Sequence, residues 1–349
     1  MLTLNTAIEA SKRLLVSQFI PVILGEIGIG KTSRVLKELG DYLLNLLGVK
    51  EVERIVFPCN YLSREDFVIN ALNKGKLTSF ITDLLPRYSG KDKAFLIVFD
   101  DYTKSSKEID AIITSLIEFG GVTGTDYKLP HHTYFAFTGN RISDRSNDRK
   151  LPQHLINRTG LFECLFGDED RQAWKTWAFQ NDIHEYVIAF LSHFTDQFTC
   201  EEADHNGVKR TPRQWEKVSK VFSSLSDEEK RSPLVSTLAS AFVGEGSARA
   251  FAGFVRLVNQ LPDISKILSR DPSIKAVAEI QILHLITQSL VNRCETEEDI
   301  EASIHFFSVT CGAREFTNTF IRDLLTKKPE LVKTVAITRF RTENKDFVI

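Results

Sequence analysis

The first half of the chain alternates short apolar runs with helical spacing. Pro21 to Leu24 reads as a buried strand, and the helix after it carries Val35, Leu36, Leu39, Leu43, Leu46 and Leu47 on one face. Val52 to Phe57 gives a second strand. Ala94 to Phe99 is a continuous apolar run, the pattern of a central strand covered on both faces. Ser105 and Glu108 have capping-box spacing for the next helix, whose inward face is Ile109, Ile112, Ile113, Leu116 and Ile117. Thr133 to Thr138 and Leu161 to Phe166 complete about five strands, and strands alternating with helices predict a parallel α/β sheet.

After Gly167 the pattern changes. Trp174 to Phe179, Ile183 to Phe194, Arg213 to Leu225 and long stretches beyond Pro233 have helical spacing, interrupted by the polar loop Thr195 to Arg210. No convincing strand pattern occurs here before about the last ten residues. The expected organisation is an α/β domain over residues 1–167 and a helical domain over 168–349. There is no internal repeat, low-complexity tract or heptad run.

Composition narrows the class. A chain of 349 residues with 42% hydrophobic and 26% charged residues is long enough for a large core in two or three domains. Its net charge of −2 gives no global basic field, so tight non-specific nucleic-acid binding is not favoured, although a local basic groove is allowed. Cys59, Cys164, Cys200, Cys294 and Cys311 form no C-x-x-C pair and are odd in number, which suits free thiols in a reducing compartment. Met1 to Lys12 lacks a signal pattern, and no run approaches the roughly 20 apolar residues of a membrane span. The expectation is a cytoplasmic protein with no membrane partner.

The strongest chemical signal is Gly25-Glu26-Ile27-Gly28-Ile29-Gly30-Lys31-Thr32, which fits G-x-x-x-x-G-K-[ST] between a predicted strand and a predicted helix. Glycines let backbone N–H groups turn inward around phosphates, and the helix adds its positive N-terminal end. In that chemistry Lys31 reaches the β- and γ-phosphates and Thr32 ligates magnesium, with Ser33 beside them in the first turn. Asp100-Asp101 follows the apolar run directly. Asp after a strand is commonly a cap or turn, but beside a phosphate loop Asp100 can hold the metal and Asp101 can polarise the attacking water. Asn140, at the end of a further strand in Thr138-Gly139-Asn140-Arg141, can orient that water, though Gly-Asn is also good turn chemistry. The cofactors called for are ATP and Mg2+.

The pieces GEIGIGKT, LIVFDD, FAFTGNR, LPQHLINRTG and TPRQW, in that order, resemble an AAA+ ATPase and, within that superfamily, the MoxR group. Trp174 to Phe194 and Gly244 to Leu261 are similar to a MoxR-like subgroup of bacteria and phages. The resemblance implies a five-stranded P-loop AAA+ sheet domain followed by a helical lid and helical extension. It implies a ring, commonly hexameric, that hydrolyses ATP to remodel a protein partner, in many relatives a von Willebrand factor A-type protein. It places Arg158 as an arginine finger at the subunit boundary and Arg213 as a second sensor on the lid. Thr211, Pro212 and Gln214 agree in part, with cap, first-position and capping-box spacing for a helix that carries Arg213 in its first turn. Two departures stand out. Asp101 replaces a frequent glutamate and is one methylene shorter, and Glu26 stands where proline is frequent, facing either the phosphates or solvent. A nucleic-acid motor and an ATP-gated assembly module with little turnover are the rival readings.

Other signals weigh less. His193, Cys200 and His205 match no zinc spacing. Arg141, Arg145, Arg149 and Lys150 are interspersed with Asp144 and Asp148, which favours a solvated or inter-subunit face over nucleic-acid contact. Asn73-Lys74-Gly75-Lys76 is not the N-K-x-D of guanine-specific enzymes, so ATP is preferred. Phe316, Phe320 and Leu324 share a helical face expected to be core. Tyr61 to Arg87, with Ser63 to Asp66 and Leu84-Leu85-Pro86, is similar to a MoxR insertion that faces the ring axis.

Overall fold

The computed structural model describes residues 2–74, 76–87, 90, 92–141, 151–200 and 202–344. The chain divides into two compact units, Met1–Asp170 and Arg171–Ile349.

The first unit is built on a parallel sheet. Its strands are β1 (Leu2–Thr3), β2 (Ile20–Gly25), β3 (Glu51–Pro58), β6 (Lys93–Asp100), β7 (Thr133–Gly139) and β8 (Thr159–Leu165), with β4 (Val68–Asn73) and β5 (Lys76–Ile81) forming a separate antiparallel hairpin. The order in the main sheet is β1-β8-β2-β7-β6-β3, and every pairing in it is parallel. The sheet has six strands against about five expected. The added strand, β1, is two residues long and pairs with Cys164 and Leu165.

Alternation along the strands fills two cores. Val22, Leu24, Ile97, Phe99, Phe135 and Phe137 face one layer, where α4 (Lys107–Phe119) adds Ile109, Ile112, Ile113 and Leu116. Ile23, Leu96, Val98 and Ala136 face the other, against α1 (Leu4–Val16) and the helix after β2. A strand buried on both faces must be apolar throughout, which is why 94–99 has no alternation. Phe99 sits centrally, with ring centroids 5.0 Å from Phe137, 5.6 Å from Phe57 and 5.8 Å from Phe135.

Two local expectations are corrected. The helix after β2 runs as α2 (Lys31–Arg34), a π-helical turn (Val35–Leu39) and α3 (Gly40–Leu47). The wider turn rotates the side chains that follow it, so Val35, Leu39 and Leu43 are buried while Leu46 is 46% exposed. The cap of α4 is Ser106, whose hydroxyl accepts from Ile109 N. Ser105 donates instead to Asp110. The insertion 61–87 contains the β4–β5 hairpin, with Leu72 and Leu77 exposed and facing each other across it. Asn73-Lys74-Gly75-Lys76 spans its turn, and Gly75 lies outside the described residues.

The second unit is helical. Its helices are α6 (Asp168–Gln180, entering from the first unit), α7 (Glu185–His193), α8 (Pro212–Ser223), α9 (Asp227–Lys230), α10 (Leu234–Arg256), α11 (Ile264–Leu268), α12 (Ile280–Arg293), α13 (Glu297–His305), α14 (Arg314–Lys327) and α15 (Val335–Glu343). One cluster gathers Phe190, Trp215, Phe222, Phe251 and Phe254, mostly edge to face. Another gathers Phe306, Phe307, Phe316, Phe320 and Leu324, in line with the expected core face. α10 breaks at Gly244, where φ is 77° and ψ 161°.

Two half-buried histidines in this unit have pKa values shifted down. His184 caps α7 by accepting from Tyr186 N at 3.1 Å, and burial together with Lys230 pushes its pKa down to about 4. His284 packs 5.3 Å from His193 and 5.0 Å from Phe316, and burial with His193 and Lys175 pushes it down to about 3.

Replacing Phe99 with Ala should cost about 3–5 kcal/mol in denaturant unfolding followed by circular dichroism. Leu46→Ala should change it by no more than about 0.5 kcal/mol. The histidines predict a pH window. Each ring is neutral when folded and takes up a proton below about pH 6.5 when unfolded. Their stabilisation is therefore full above about pH 6.5 and declines as pH falls toward the folded pKa, at about 1.4 kcal/mol per pH unit per ring. All three tryptophans, Trp174, Trp177 and Trp215, lie in this unit, so their fluorescence reports its unfolding. Between pH 7 and 5 the loss should be about 2 kcal/mol per ring, and His284→Leu should remove its share of the slope.

Candidate phosphate-binding site

β2 delivers the chain into the loop at Gly25, where a Cβ would lie 2.7 Å from Cys164 Sγ and 3.1 Å from its carbonyl oxygen. Only glycine fits. Gly28 and Gly30 have φ of 77° and 88°, left-handed values that turn the loop back before α2 begins. Ile29 is 4% exposed and anchors the loop in the core, whereas Ile27 is exposed. Cys164 donates its thiol hydrogen to Leu24 O, and burial pushes its pKa up to about 12, so it is a packing group and not a nucleophile.

Lys31 is buried, and its Nζ donates to Gly25 O at 2.8 Å and Glu26 O at 2.7 Å, with Asn140 Oδ1 at 3.4 Å. Thr32 Oγ1 donates to Asp100 Oδ1 at 2.6 Å, and Thr138 Oγ1 donates to the same oxygen at 2.5 Å. Strand order explains the meeting. β7 lies between β2 and β6, so Asn140 lies between the loop and Asp100 at the carboxyl ends of three adjacent strands. Gly139 must be small there, because a Cβ would meet Leu24 Cδ2 and Thr103 at 3.0 Å.

Asp101 adopts the left-handed conformation, φ 49°, and its Oδ2 lies 3.6 Å from Lys104 Nζ. It is about one-third exposed and leads into a turn, so it is both positioned at the strand end and engaged by a cation. Ser33 lies in the first turn and donates weakly to Gly30 O at 3.4 Å.

Glu26 does not face solvent. It is 8% exposed and pairs with Arg141, equally buried, at 3.2 Å. This corrects, for Arg141, the expectation of a solvated or inter-subunit face. Arg145, Arg149, Lys150, Asp144 and Asp148 lie outside the described residues.

Arg158 is half-exposed and pairs with Glu118 of α4 at 3.2 Å. It does not sit at a sheet edge, because β8 lies between β1 and β2. It precedes β8 at the amino end of the sheet. Thr159 pairs with Ile20, while the loop starts at Gly25, level with Cys164. Five residues of strand separate the two levels, about 17 Å. That span puts Arg158 out of reach of its own phosphate loop. Arg213 is exposed in the first turn of α8, capped by Thr211 with Pro212 at its first position. The expected capping box is not completed, since Gln214 Oε1 is buried without a hydrogen-bond partner.

The residues present fit a magnesium–nucleotide pair. Thr32 and Asp100 supply hard oxygen donors converging on one point, as Mg2+ requires. The left-handed glycine turns and the start of α2 supply a backbone cradle of the kind that binds phosphate. The chemistry this allows is polyphosphate binding with a carboxylate available to a water.

Loop and sheet together define the class, a P-loop α/β fold carrying a helical unit. Many solved structures align with the chain. NtrX from Brucella abortus in complex with ADP is 11% identical over 99% of this chain and 68% of that one, with a TM-score of 0.41. A point mutant of RuvB from Thermotoga maritima is 13% identical over 99% and 94%, with a TM-score of 0.39. No family model and no curated protein matches the chain.

Proposed function

We propose that the chain is an ATPase of the AAA+ type, MoxR-like, working as a ring that remodels a protein partner. The observation that carries the ATPase reading is the convergence of Lys31, Thr32, Asp100 and Asn140 at the ends of three neighbouring strands. Loop amides and Lys31 bind the phosphates, and Thr32 with Asp100 holds magnesium. Magnesium held there would supply neutralisation of phosphate charge. Asp101 and Asn140 orient the attacking water, Asp101 accepting its proton. Ring assembly is favoured by Arg158, which is too far along β8 to serve its own loop but exposed enough to serve a neighbour's. Arg213 on the helical unit is assigned to nucleotide sensing. The exposed leucines of the β4–β5 hairpin suit contact with a protein substrate, and a von Willebrand factor A-type partner fits the family resemblance.

The Asp101–Lys104 pair favours a second reading, a slow, nucleotide-gated assembly module. A shorter carboxylate held by a cation is less available to a water.

Lys31→Ala should abolish ATP binding with the fold intact by circular dichroism. Retained affinity would sink the phosphate-loop reading. Asp101→Asn should keep ATP binding and slow turnover by about 10²- to 10⁴-fold. Wild-type turnover in that variant would place the base elsewhere, and a faster Asp101→Glu would identify side-chain length as limiting.

Arg158→Ala should bind ATP normally and lose roughly 10³-fold or more in turnover. Mixed with Lys31→Ala, it should regain activity that rises with protein concentration, since each subunit supplies what the other lacks. Full activity of Arg158→Ala alone, or no recovery in demonstrated mixed assemblies, would reject the shared site.

A further inference from the structure

We propose that Arg141 is a second cation of the phosphate site, held against the loop by Glu26, and that it reads the terminal phosphate and so separates a nucleoside triphosphate from a diphosphate. The proposal rests on the phosphate-loop reading given above.

Glu26 joins the two cations. Its carbonyl oxygen accepts from Lys31 Nζ at 2.7 Å, and its carboxylate pairs with Arg141 Nη2 at 3.2 Å. The residue before Arg141, Asn140, places its Oδ1 3.4 Å from the same Lys31 Nζ. Lysine, arginine and amide thus gather at one end of the loop, the end where β7 arrives. The start of α2 and the glycine turns form the inner cradle, which takes the phosphates nearer the nucleoside, and the loop lysine reaches outward to the β- and γ-positions. Side chains arriving from β7 meet the outer phosphate.

Charge supports the assignment. A buried carboxylate on the second residue of a phosphate loop opposes a polyanion unless a cation accompanies it. Arg141 is that cation. A guanidinium presents five N–H donors in a fixed fork, and its geometry matches phosphate oxygens as well as a carboxylate. Glu26 keeps the fork beside the loop, so little side-chain freedom is lost when it turns to a phosphate.

A purely structural ion pair, tying the loop to β7, makes a different prediction. It would support both nucleotides equally. The test is calorimetric titration of the full chain, with magnesium, using a non-hydrolysable ATP analogue and ADP. Arg141→Ala should weaken the triphosphate on the order of 10- to 100-fold, the range of a charge-assisted hydrogen bond, and ADP by no more than about threefold. Arg141→Lys should keep part of the preference. The combined Glu26→Gln and Arg141→Gln replacement, which puts a neutral pair of similar shape in the same place, should also lose it, and it serves if Arg141→Ala does not fold. Equal weakening of both nucleotides, or wild-type preference in the neutral pair, would overturn the role. Lys31→Ala separates the two ideas: if it still binds both nucleotides, the phosphate loop itself is misassigned, whatever Arg141 does.

Discussion

Everything at the site depends on where the Asp100 carboxylate is held. It ends β6, a strand whose side chains from Ala94 to Phe99 are all buried, so the chain has no freedom to shift along its axis. At that fixed point one oxygen accepts from two hydroxyls, Thr32 of the phosphate-loop helix and Thr138 of β7. Charge-assisted hydrogen bonds of this kind are short and directional. They bind three strand ends into one unit, and the lysine, the asparagine and the carboxylate then face a common volume. The apolar packing around Phe99 sets the geometry, and the two hydroxyls finish it.

Much of this was legible in the chain. Apolar runs marked β2, β3, β6, β7 and β8, and the glycine–lysine motif gave the loop, because burial and phosphate binding both restrict residue type severely. What was not legible had weaker local signals. β1 is two residues long, too short for any periodicity. The β4–β5 hairpin is mostly exposed, so its strands follow no inward pattern. The misplaced cap at Ser105 reflects two adjacent serines with equal propensity, decided by Asp110 taking the first. Leu46 was turned outward by a π-helical turn that no spacing rule announces. Glu26 was seen as a departure, but its partner lies 115 residues away, and only the sheet order brings Arg141 to it.

Arg141 and Arg158 are each held by an acid, with different consequences. Arg141 and Glu26 are both nearly buried, so removing Arg141 takes the paired cation from a carboxylate in a poorly solvated place. Arg158 and Glu118 are partly exposed, and such a pair contributes little to stability. Its value is orientation. Glu118 lies near the C-terminal end of α4, a helix whose start follows Asp101 by a few residues. The same helix therefore stands between Asp101 and the half-exposed Arg158.

Arg34 shows how the loop helix itself is fixed. Its guanidinium bonds to Asp170 at 2.8 Å, Asn5 at 2.8 Å and Glu38 at 2.6 Å. Asp170 is 1% exposed and accepts also from the backbone amides of Leu4, Asn5 and Gly167. A buried carboxylate is tolerated only when its oxygens are satisfied, and here four donors do so. Two of those donors are the first amides of α1, which otherwise lack partners within their helix. The carboxylate thus caps α1 and, through Arg34, ties it to the helix that carries Lys31 and Thr32. Asp170 is the last residue of the first unit. One buried side chain therefore joins the start of α1, the turn after β8 and the helix that carries Lys31 and Thr32.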